Sequence, residues 1–374
     1  MPNTVVNRIS PKAVLGSDQS PLVLTATLVP VGNQDRFQPA GFPEIGHVIY
    51  RAPRADDSFE EVCIVDSAAS MANHLESVCM RGAHDFALVD ELEGMPYFRC
   101  VTGNRASGKI EYEAREVVVT SLTEGHRLAS TYFCGSIGRR ASAAGTLAEK
   151  PFGDELADDM GVILKDNKSK AHVPPAKWWN VFSTIFKYDP NALLHGVMFP
   201  QWQIKIQRVL TASLEAFGAA RVDRSGVKFD RLGKTTSGQP IFAVDEETAR
   251  EIRATFVIDL ALVRSFGRIN DGSELGLNES QKEFLMAFAL WKIERLLRAP
   301  FRYRSGCHLE ATALRRGDED IALDVDIRAA IKNAKFPAPP VTDVYWPASE
   351  LYREGKDEKG AIEEKVEELD ESEE

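Results

Sequence analysis

The chain has 374 residues, of which 44% are hydrophobic and 27% charged, and its formal net charge is −11. Its longest apolar run, residues 284–291, is far shorter than the about 20 residues of a membrane-spanning helix, and no apolar signal core opens the chain, which predicts a cytoplasmic protein. The five cysteines form no CxxC pair and the seven histidines lack metal-ligand spacing, so we expect no disulfide, metal site or cofactor.

Most of the negative charge lies at the C-terminal end. Residues 354–374 include 11 acidic and 3 basic residues, a net charge of −8, so residues 1–353 carry only −3. A segment with so many acids and so few apolar residues is typical of a solvated helix or a disordered tail. The near-neutral remainder can still cluster basic residues on one face, so charge alone neither supports nor excludes RNA binding.

The N-terminal part is predicted to contain a strand, a loop, a second strand and a helix. In residues 22–29 apolar side chains alternate with threonines, the pattern of a strand with one buried face. Residues 30–46 are rich in Pro and Gly and predict a loop. A short strand at 61–65 leads to Asp66 and Ser67, either of which can cap a helix. That helix has an apolar stripe at helical spacing, formed by Ala68, Met71, Ala72, Leu75, Val78 and Cys79.

The middle of the chain has weaker patterns. Residues 154–177 are polar and predict an exposed excursion, whereas residues 223–241 have the turn-rich composition of a projecting hairpin. Residues 178–188 and 204–217 are compatible with helix or strand, and both alternatives stay open.

The C-terminal part is clearer. Asn278 can cap a helix that runs to about Arg298 and ends before Pro300. Apolar residues then alternate in 307–314 and again in 321–326, with a compact turn between them, which predicts a strand hairpin.

Catalytic candidates are few. The tripeptide Gly-Lys-Thr at 233–235 is similar to the end of a phosphate-binding loop, but the glycine needed five residues earlier is Lys228 here. Asp324 and Asp326 lie two apart on the predicted strand and are compatible with a metal pair, although a solvated face explains them better. His126 has the chemistry of a general base, yet no nucleophile motif accompanies it, so we expect a structural or phosphate-contacting role.

Three segments carry residues suited to nucleic acid. The Gly/Pro loop at 36–43 places arginine beside aromatic and amide side chains, which suits phosphate and base contacts. Ser70 and Asn73 lie on the polar face of the predicted helix, and residues 139–140 form a basic pair in a small-residue loop. Burial of Phe37 and Phe42 in the core, solvent exposure and ion pairs within the protein remain the alternatives. The third segment alternates three donors along a strand: Arg302, Arg304 and His308.

Five motifs occur together in a fixed order, and their sequences are RFQPAGFP at 36–43, DSAASMANHLE at 66–76, EGHRLAS at 124–130, DP at 189–190 with LHG at 194–196, and FRYRSGCHLE at 301–310. In this order and with these gaps, residues 20–330 resemble the RAMP-superfamily backbone subunit, the major repeated subunit, of type I-G (formerly I-U) CRISPR Cascade. Gly125 departs from the alanine of the family pattern.

The resemblance implies an α+β fold with a ferredoxin-like, RNA-recognition-type palm (βαββαβ) over residues 21–353, carrying large insertions that include a thumb. The candidate thumb is 223–241, and the second candidate is 154–177. Residues 1–20 are expected to be an N-terminal arm, and residues 354–374 a disordered acidic tail.

The resemblance also implies that the protein is not an enzyme, binds no cofactor and has no membrane partner. Several copies polymerise along the spacer of the CRISPR RNA, bind its phosphate backbone and present its bases to target DNA, alongside other Cascade subunits and a separate helicase-nuclease. Base pairing then carries the sequence specificity. On this basis the residues expected to bind RNA are Arg36, Phe37, Gln38, Ser67, Ser70, Asn73, His126, Arg127, His195, Arg302 and Arg304.

Three alternatives remain open from the sequence. A metal-dependent ribonuclease on the same fold would use Asp85, Asp324 or Asp326, because related backbone subunits of type III systems cut RNA with an acidic residue. An endoribonuclease that processes CRISPR RNA would use His126 as its base. A structural assembly protein would make no RNA contact at all.

Overall fold

The computed structural model describes residues 7–42, 46–106, 109–136, 151–163, 171–222 and 246–347. The elements of the first half are β1 (Asn7–Ile9), α1 (Pro11–Leu15), β2 (Pro21–Pro30), β3 (Gly41–Phe42), β4 (Gly46–His47), β5 (Ile49–Pro53), β6 (Phe59–Asp66), α2 (Ala68–Ser77), β7 (Met80–Gly82), β8 (Asp85–Leu88), β9 (Tyr97–Ala106), β10 (Lys109–Thr120) and α3 (Thr131–Cys134).

The second half continues with α4 (Phe152–Met160), α5 (Trp178–Tyr188), α6 (Pro190–His195), β11 (Val197–Phe199), β12 (Ile204–Ile206), β13 (Leu210–Phe217), β14 (Ala220–Val222), β15 (Glu246–Thr248), β16 (Glu251–Asp259), α7 (Leu260–Ser265), β17 (Gly267–Asn270), β18 (Ser273–Gly276), α8 (Glu279–Leu297), β19 (Phe301–Arg304), β20 (Cys307–Arg316), β21 (Glu319–Leu323), α9 (Ile327–Ala334) and β22 (Val341–Pro347).

A large mixed sheet organises these elements. Eight strands lie in the order β1-β21-β20-β2-β16-β13-β6-β5, and β19 pairs with β20 as the ninth. At its centre β20, β2, β16 and β13 are antiparallel to their neighbours. Numbered along the chain, these four strands stand in the order 4-1-3-2, with α2 between the first and second and α8 between the third and fourth. The fold is therefore α+β with a large central sheet.

One face of the sheet is covered by helices. In β2 the side chains of Leu22, Leu24, Ala26 and Leu28 are buried while Val23 is 42% exposed, which confirms the predicted alternation. Aligned rows on β13 and β16 are buried in the same way, because side chains at alternate positions of a strand share a face.

The predicted C-terminal helix is the central helix of this layer. Asn278 caps α8 and forms a capping box with Gln281, so the first-turn N–H groups find partners. Twelve of the 19 residues of α8 are buried, and the rings of Phe284, Phe288 and Trp291 stack along it. α8 contacts α1, α2, α6, α7 and α9, so every helix that carries a functional side chain below is positioned against it or against α2.

A smaller sheet and three helices form a second layer. β9 pairs antiparallel with β10 and parallel with β22, and the bidentate ion pair of Arg99 with Asp343 (2.7 and 3.0 Å) ties these distant strands together. The ring of Phe98 packs against three aromatic rings from α3, α4 and α5.

Several expectations need correction. Residues 154–160 are not an exposed excursion, because α4 buries Leu156 and Met160 beside α5. The strand predicted at 321–326 ends at Leu323, since Asp326 caps α9 through the Ala329 N–H. Within the predicted arm, residues 7–15 form β1, which pairs with β21, and α1, which packs on α8.

The open alternatives are also decided, since 178–188 is helix and 210–217 is strand. The thumb candidate 223–241, the basic pair 139–140 and the acidic tail lie outside the described residues. None of the described helices is long and apolar enough to cross a membrane.

Candidate functional site

A buried carboxylate stands where β6, α2 and β19 meet. Asp66 is the last residue of β6 and is 1% exposed. Its Oδ1 accepts a hydrogen bond from the Ser67 backbone N–H (2.9 Å) and lies 2.8 Å from a terminal guanidinium nitrogen of Arg304. Its Oδ2 lies 2.8 Å from Nε2 of His74. One carboxylate therefore ties the end of a strand to the first turns of a helix and to a strand from the C-terminal part of the chain.

The partners of Asp66 keep it charged. Burial raises the pKa of its carboxyl, but the hydrogen bond with His74 and the charge of Arg304 outweigh burial, so the pKa lies below its usual value. The His74 ring stands edge-on to the rings of Phe301 and Tyr303, with centroids 5.3 and 5.4 Å apart. This packing fixes the direction of the imidazole and hence of the carboxylate.

The start of α2 presents hydroxyl groups beside this carboxylate. Ser67 caps the helix, and its hydroxyl accepts a hydrogen bond from the Ser70 N–H (3.2 Å). The Ser70 hydroxyl lies 3.3 Å from Nε2 of His74, and Asn73 is exposed one turn further along. The partial positive charge of a helix N-terminus favours anions at such a position.

The RFQPAGFP loop packs against the β19–β20 turn. The Gln38 N–H donates to the Gly306 carbonyl (2.9 Å), and Gly306 has a φ of +76°. A Cβ on Gly306 would lie 2.8 Å from Oε1 of Gln38, so glycine permits this close approach. Gln38 thus lies beside the turn that follows Arg304. We call Gln38, Asp66, Ser67, Ser70, His74 and Arg304 the Asp66 surface.

The loop is also attached to β15. Phe37 is 1% exposed and exchanges two backbone hydrogen bonds with Glu247 (3.0 and 2.9 Å). The Arg36 side chain is 59% exposed and lies 3.5 Å from Glu246. Phe37 is therefore an anchor, and Arg36 faces solvent with a screened ion pair.

A second polar cluster is fully enclosed. The Arg127 guanidinium forms a bidentate ion pair with Glu76 (2.7 and 2.8 Å) and donates to the carbonyls of Gly125 and Gly196. Arg127 adopts φ +53°, an uncommon conformation for a residue with a side chain, and the four contacts of its guanidinium hold it there. The pair joins α2 to the segment after β10.

The cluster continues across α6 to α8. Asn191 donates to Glu76 Oε1 (2.7 Å) and accepts from the Lys292 ammonium, which also lies 2.9 Å from Nε2 of His195. Burial lowers the pKa of Lys292, and burial with the nearby Lys292 and Arg127 charges lowers the pKa of His195 well below its usual value. His195 is therefore neutral, and its Nε2 accepts from Lys292. We call Glu76, Arg127, Asp189, Asn191, His195 and Lys292 the buried polar network.

Asp189 also belongs to this network, although no Lys or Arg of the described part of the chain forms an ion pair with it. It is fully buried, and no donor of the described part of the chain has full hydrogen-bond geometry toward its carboxylate, although the Ser121 hydroxyl lies close enough to favour the charged form. Burial, together with the negative charge of Glu76, raises the pKa of Asp189 to about 7. A carboxyl of this kind holds its proton far above the pH at which an exposed aspartate loses it.

The structure divides the eleven predicted RNA-binding residues into three groups. Gln38, Ser67, Ser70 and Arg304 come together on the Asp66 surface. Phe37, Arg127 and His195 face the interior, so they hold the fold rather than present donors to a strand of RNA. The other four are exposed but not joined to the Asp66 surface by a described contact, and they are Arg36, Asn73, His126 and Arg302.

Sequence reasoning missed the residues that organise both clusters. The sequence marks Asp66 only as a possible helix cap and Glu76 only as the end of a motif. Lys292 lies inside an apolar helix, which is unusual for lysine unless it is paired. Its position in the sequence therefore indicates a buried polar partner. His74 interrupts an otherwise small and polar helix face beside Ser70, a weaker signal.

The residues of the catalytic alternatives lie apart from these clusters. His126 is 82% exposed and its Nδ1 lies 3.0 Å from Glu124. Asp324 and Asp326 are exposed and follow β21, and Asp85 lines an open cleft of about 520 Å³ with Arg99. Among the described residues, no group of three or more His, Cys, Asp or Glu side chains is arranged to hold a metal ion.

Comparison with known proteins identifies a family. A family model described as CRISPR-associated protein GSU0053 matches residues 22–221. Among solved structures, the crystal structure of Thermofilum pendens Csc2 is similar over 85% of this chain and 72% of that chain, with 12% sequence identity and a TM-score of 0.28. No curated protein matches the sequence.

Proposed function

Because this chain belongs to the CRISPR-associated protein GSU0053 family, we propose that it is the repeated, RNA-binding backbone subunit of a type I-G Cascade. Several copies polymerise along the CRISPR RNA spacer, hold its phosphate backbone and present its bases to target DNA. Other Cascade subunits complete the assembly, and a separate helicase-nuclease cuts the DNA. No residue of this chain is assigned a catalytic role.

The observation that carries the proposal is the convergence on the Asp66 surface. Gln38, Ser67, Ser70 and Arg304 come from three sequence motifs separated by up to about 270 residues, and the fold brings them together. They offer an amide, two hydroxyls beside a helix N-terminus and a guanidinium. Such donors suit phosphate oxygens and carry no preference for a base, as a subunit that leaves sequence reading to base pairing requires.

The strand order supports the proposed ferredoxin-like palm. β2, α2, β13, β16, α8 and β20 follow the βαββαβ sequence, and the four strands stand in the antiparallel order 4-1-3-2. β6 is an addition between the first strand and the first helix, and it ends at Asp66. The Asp66 surface thus lies at one end of this palm, where an added strand meets the first helix.

The proposal is tested by RNA copurification. The full chain is expressed with a repeat-spacer RNA and its partner subunits, purified at moderate salt and treated with ribonuclease, and the protected fragments are sized. We expect protected lengths that rise by a constant step, from a multi-copy filament whose RNA is uncut internally.

Two other results would change the assignment. Internal cuts at a regular step that require a divalent ion would favour the ribonuclease alternative, and cuts lost in His126→Ala would favour the RNA-processing alternative. A chain that carries no RNA, with and without its partner subunits, would overturn the proposal.

A further inference from the structure

We infer that Asp66 is a positioning residue for RNA: its carboxylate, although it has the same sign of charge as a phosphate, holds Arg304 and the start of α2 in the arrangement that binds the RNA backbone. The inference rests on the proposed function, since the ligand that these positioned groups bind is the CRISPR RNA. It concerns a residue that makes no RNA contact itself.

The contacts of Asp66 account for such a role. The carboxylate at the end of β6 contacts α2 through Ser67 and His74, at 2.9 and 2.8 Å, and β19 through Arg304, at 2.8 Å. The carboxylate is 1% exposed, whereas the Arg304 side chain is 23% exposed. The anion therefore lies beneath the surface, and the cation that it orients reaches the solvent.

The buried charge of Asp66 holds donors that would otherwise have to be ordered, at a cost in free energy, when RNA binds. A free arginine side chain loses rotamer freedom when it binds a phosphate, and an ion pair that already restrains it reduces this loss. The Ser67 N–H is restrained by the same carboxylate, so the helix start and the guanidinium keep a fixed spacing. Loss of one carboxylate oxygen of Asp66 as an acceptor is therefore expected to disturb this preorganised arrangement.

Simple electrostatics predicts the opposite effect of a mutation at this residue. Asp66→Asn removes a negative charge close to the bound phosphates, and that alone strengthens RNA binding. If Asp66 acts by positioning, the same substitution weakens binding, because Asn offers one acceptor oxygen in place of two. The sign of the change separates the two roles.

The test measures binding of the full-length chain to a fluorescein-labelled single-stranded RNA of spacer length, by anisotropy over a series of salt concentrations. We expect Asp66→Asn to weaken binding by about tenfold and to lower the slope of log Kd against log salt by about one, as if one cationic contact were lost. Arg304→Ala should do the same, and the double variant should be no weaker than Arg304→Ala alone, because Asp66 acts through Arg304.

The matched control removes the same charge elsewhere. Asp320 pairs with Arg315 (2.8 Å) at the far end of β20, so Asp320→Asn should leave RNA binding unchanged or slightly tighter. If Asp66→Asn does not fold, as judged by circular dichroism, Asp66→Glu replaces it, since the carboxylate is kept but displaced by one methylene, and weaker binding is again expected.

Each of the remaining outcomes would overturn either the positioning role of Asp66 or the proposed function. Tighter or unchanged binding of the Asp66 variant overturns the positioning role and leaves the proposed function in place. Fully independent effects of Asp66→Asn and Arg304→Ala also overturn it. A wild-type chain that binds no RNA either alone or with its partner subunits overturns the proposed function itself.

Discussion

The buried carboxyl of Asp189 makes the stability of this protein depend on pH in an unusual direction. Its pKa is about 7 in the folded chain, against an ordinary value of 3.8. Since the folded chain binds this proton more tightly than the unfolded chain, the contribution of Asp189 to stability is largest at low pH. That contribution falls as the pH rises from about 4 to about 7 and stays constant above.

The size of the effect follows from the shift. About three pKa units at about 1.4 kcal/mol each correspond to about 4 kcal/mol over the whole range, and to about 2 to 3 kcal/mol between pH 5 and pH 8. Asp189→Asn keeps the shape of the side chain and removes its titration. We therefore expect the variant to gain about 2 to 3 kcal/mol relative to the wild type when the pH is raised from 5 to 8.

The assay is urea unfolding of both chains at pH 5, 6, 7 and 8, followed by circular dichroism. The control is Asp56→Asn, because Asp56 is exposed and the hydrogen bond from Ser58 lowers its pKa, so its difference from wild type should stay flat over this range. A difference for Asp189→Asn that is constant with pH, or that changes in favour of the wild type as pH rises, would refute the reasoning.

Three further predictions concern the network, a helix cap and the surface. Glu76→Ala leaves the Arg127 guanidinium buried and unpaired, so we expect a loss of about 3 to 5 kcal/mol in the free energy of unfolding measured in urea; a loss below about 1 kcal/mol would contradict the buried pair. Asn278→Ala removes the capping box of α8 and should cost about 1 kcal/mol in the same measurement, whereas an unchanged value would show that the cap is dispensable. In RNA binding, Arg304→Ala should lower the salt slope by about one, whereas Arg315→Ala should not, and equal effects would mean that the Asp66 surface has no special part.

The periodic segments were predictable because burial leaves a local pattern. Residues 22–29 bury alternate side chains, and α8 has a continuous apolar run, 284–291, in a stretch that is buried from 284 to 293 and follows a cap residue, so the sequence predicts both segments with their approximate ends. Residues 154–160 give the false prediction of an exposed segment because α4 carries four acidic residues on its outer face. The apolar Leu156 and Met160 are too few to stand out in the sequence. Its burial comes from α5, which the chain reaches later.

The motif residues were found, but their roles were not. Arg127 and His195 stood out as basic residues in recognisable motifs, and RNA contact was the natural expectation. A cation's partner is not encoded nearby in the sequence: Glu76 precedes Arg127 by 51 residues, and Lys292 follows His195 by 97. Whether such a side chain faces solvent or an enclosed carboxylate depends on how α2, α6 and α8 pack.

The sequence by itself determined the elements near the two ends of the chain, the cap of α8, a cap of α2 at either Asp66 or Ser67, and the motifs that point to a CRISPR-associated protein, because each of these rests on residues close together in the chain. Only the tertiary structure decided that Gln38, Ser67, Ser70 and Arg304 share a surface around Asp66 while Arg127 and His195 are enclosed. The first grouping depends on the packing of β6 and α2 against the β19–β20 turn, which follows them by more than 200 residues, and the second depends on the packing of α2, α6 and α8. Contacts at such separation are set by the packing of the whole sheet and its helices, and no local pattern of residue types records them.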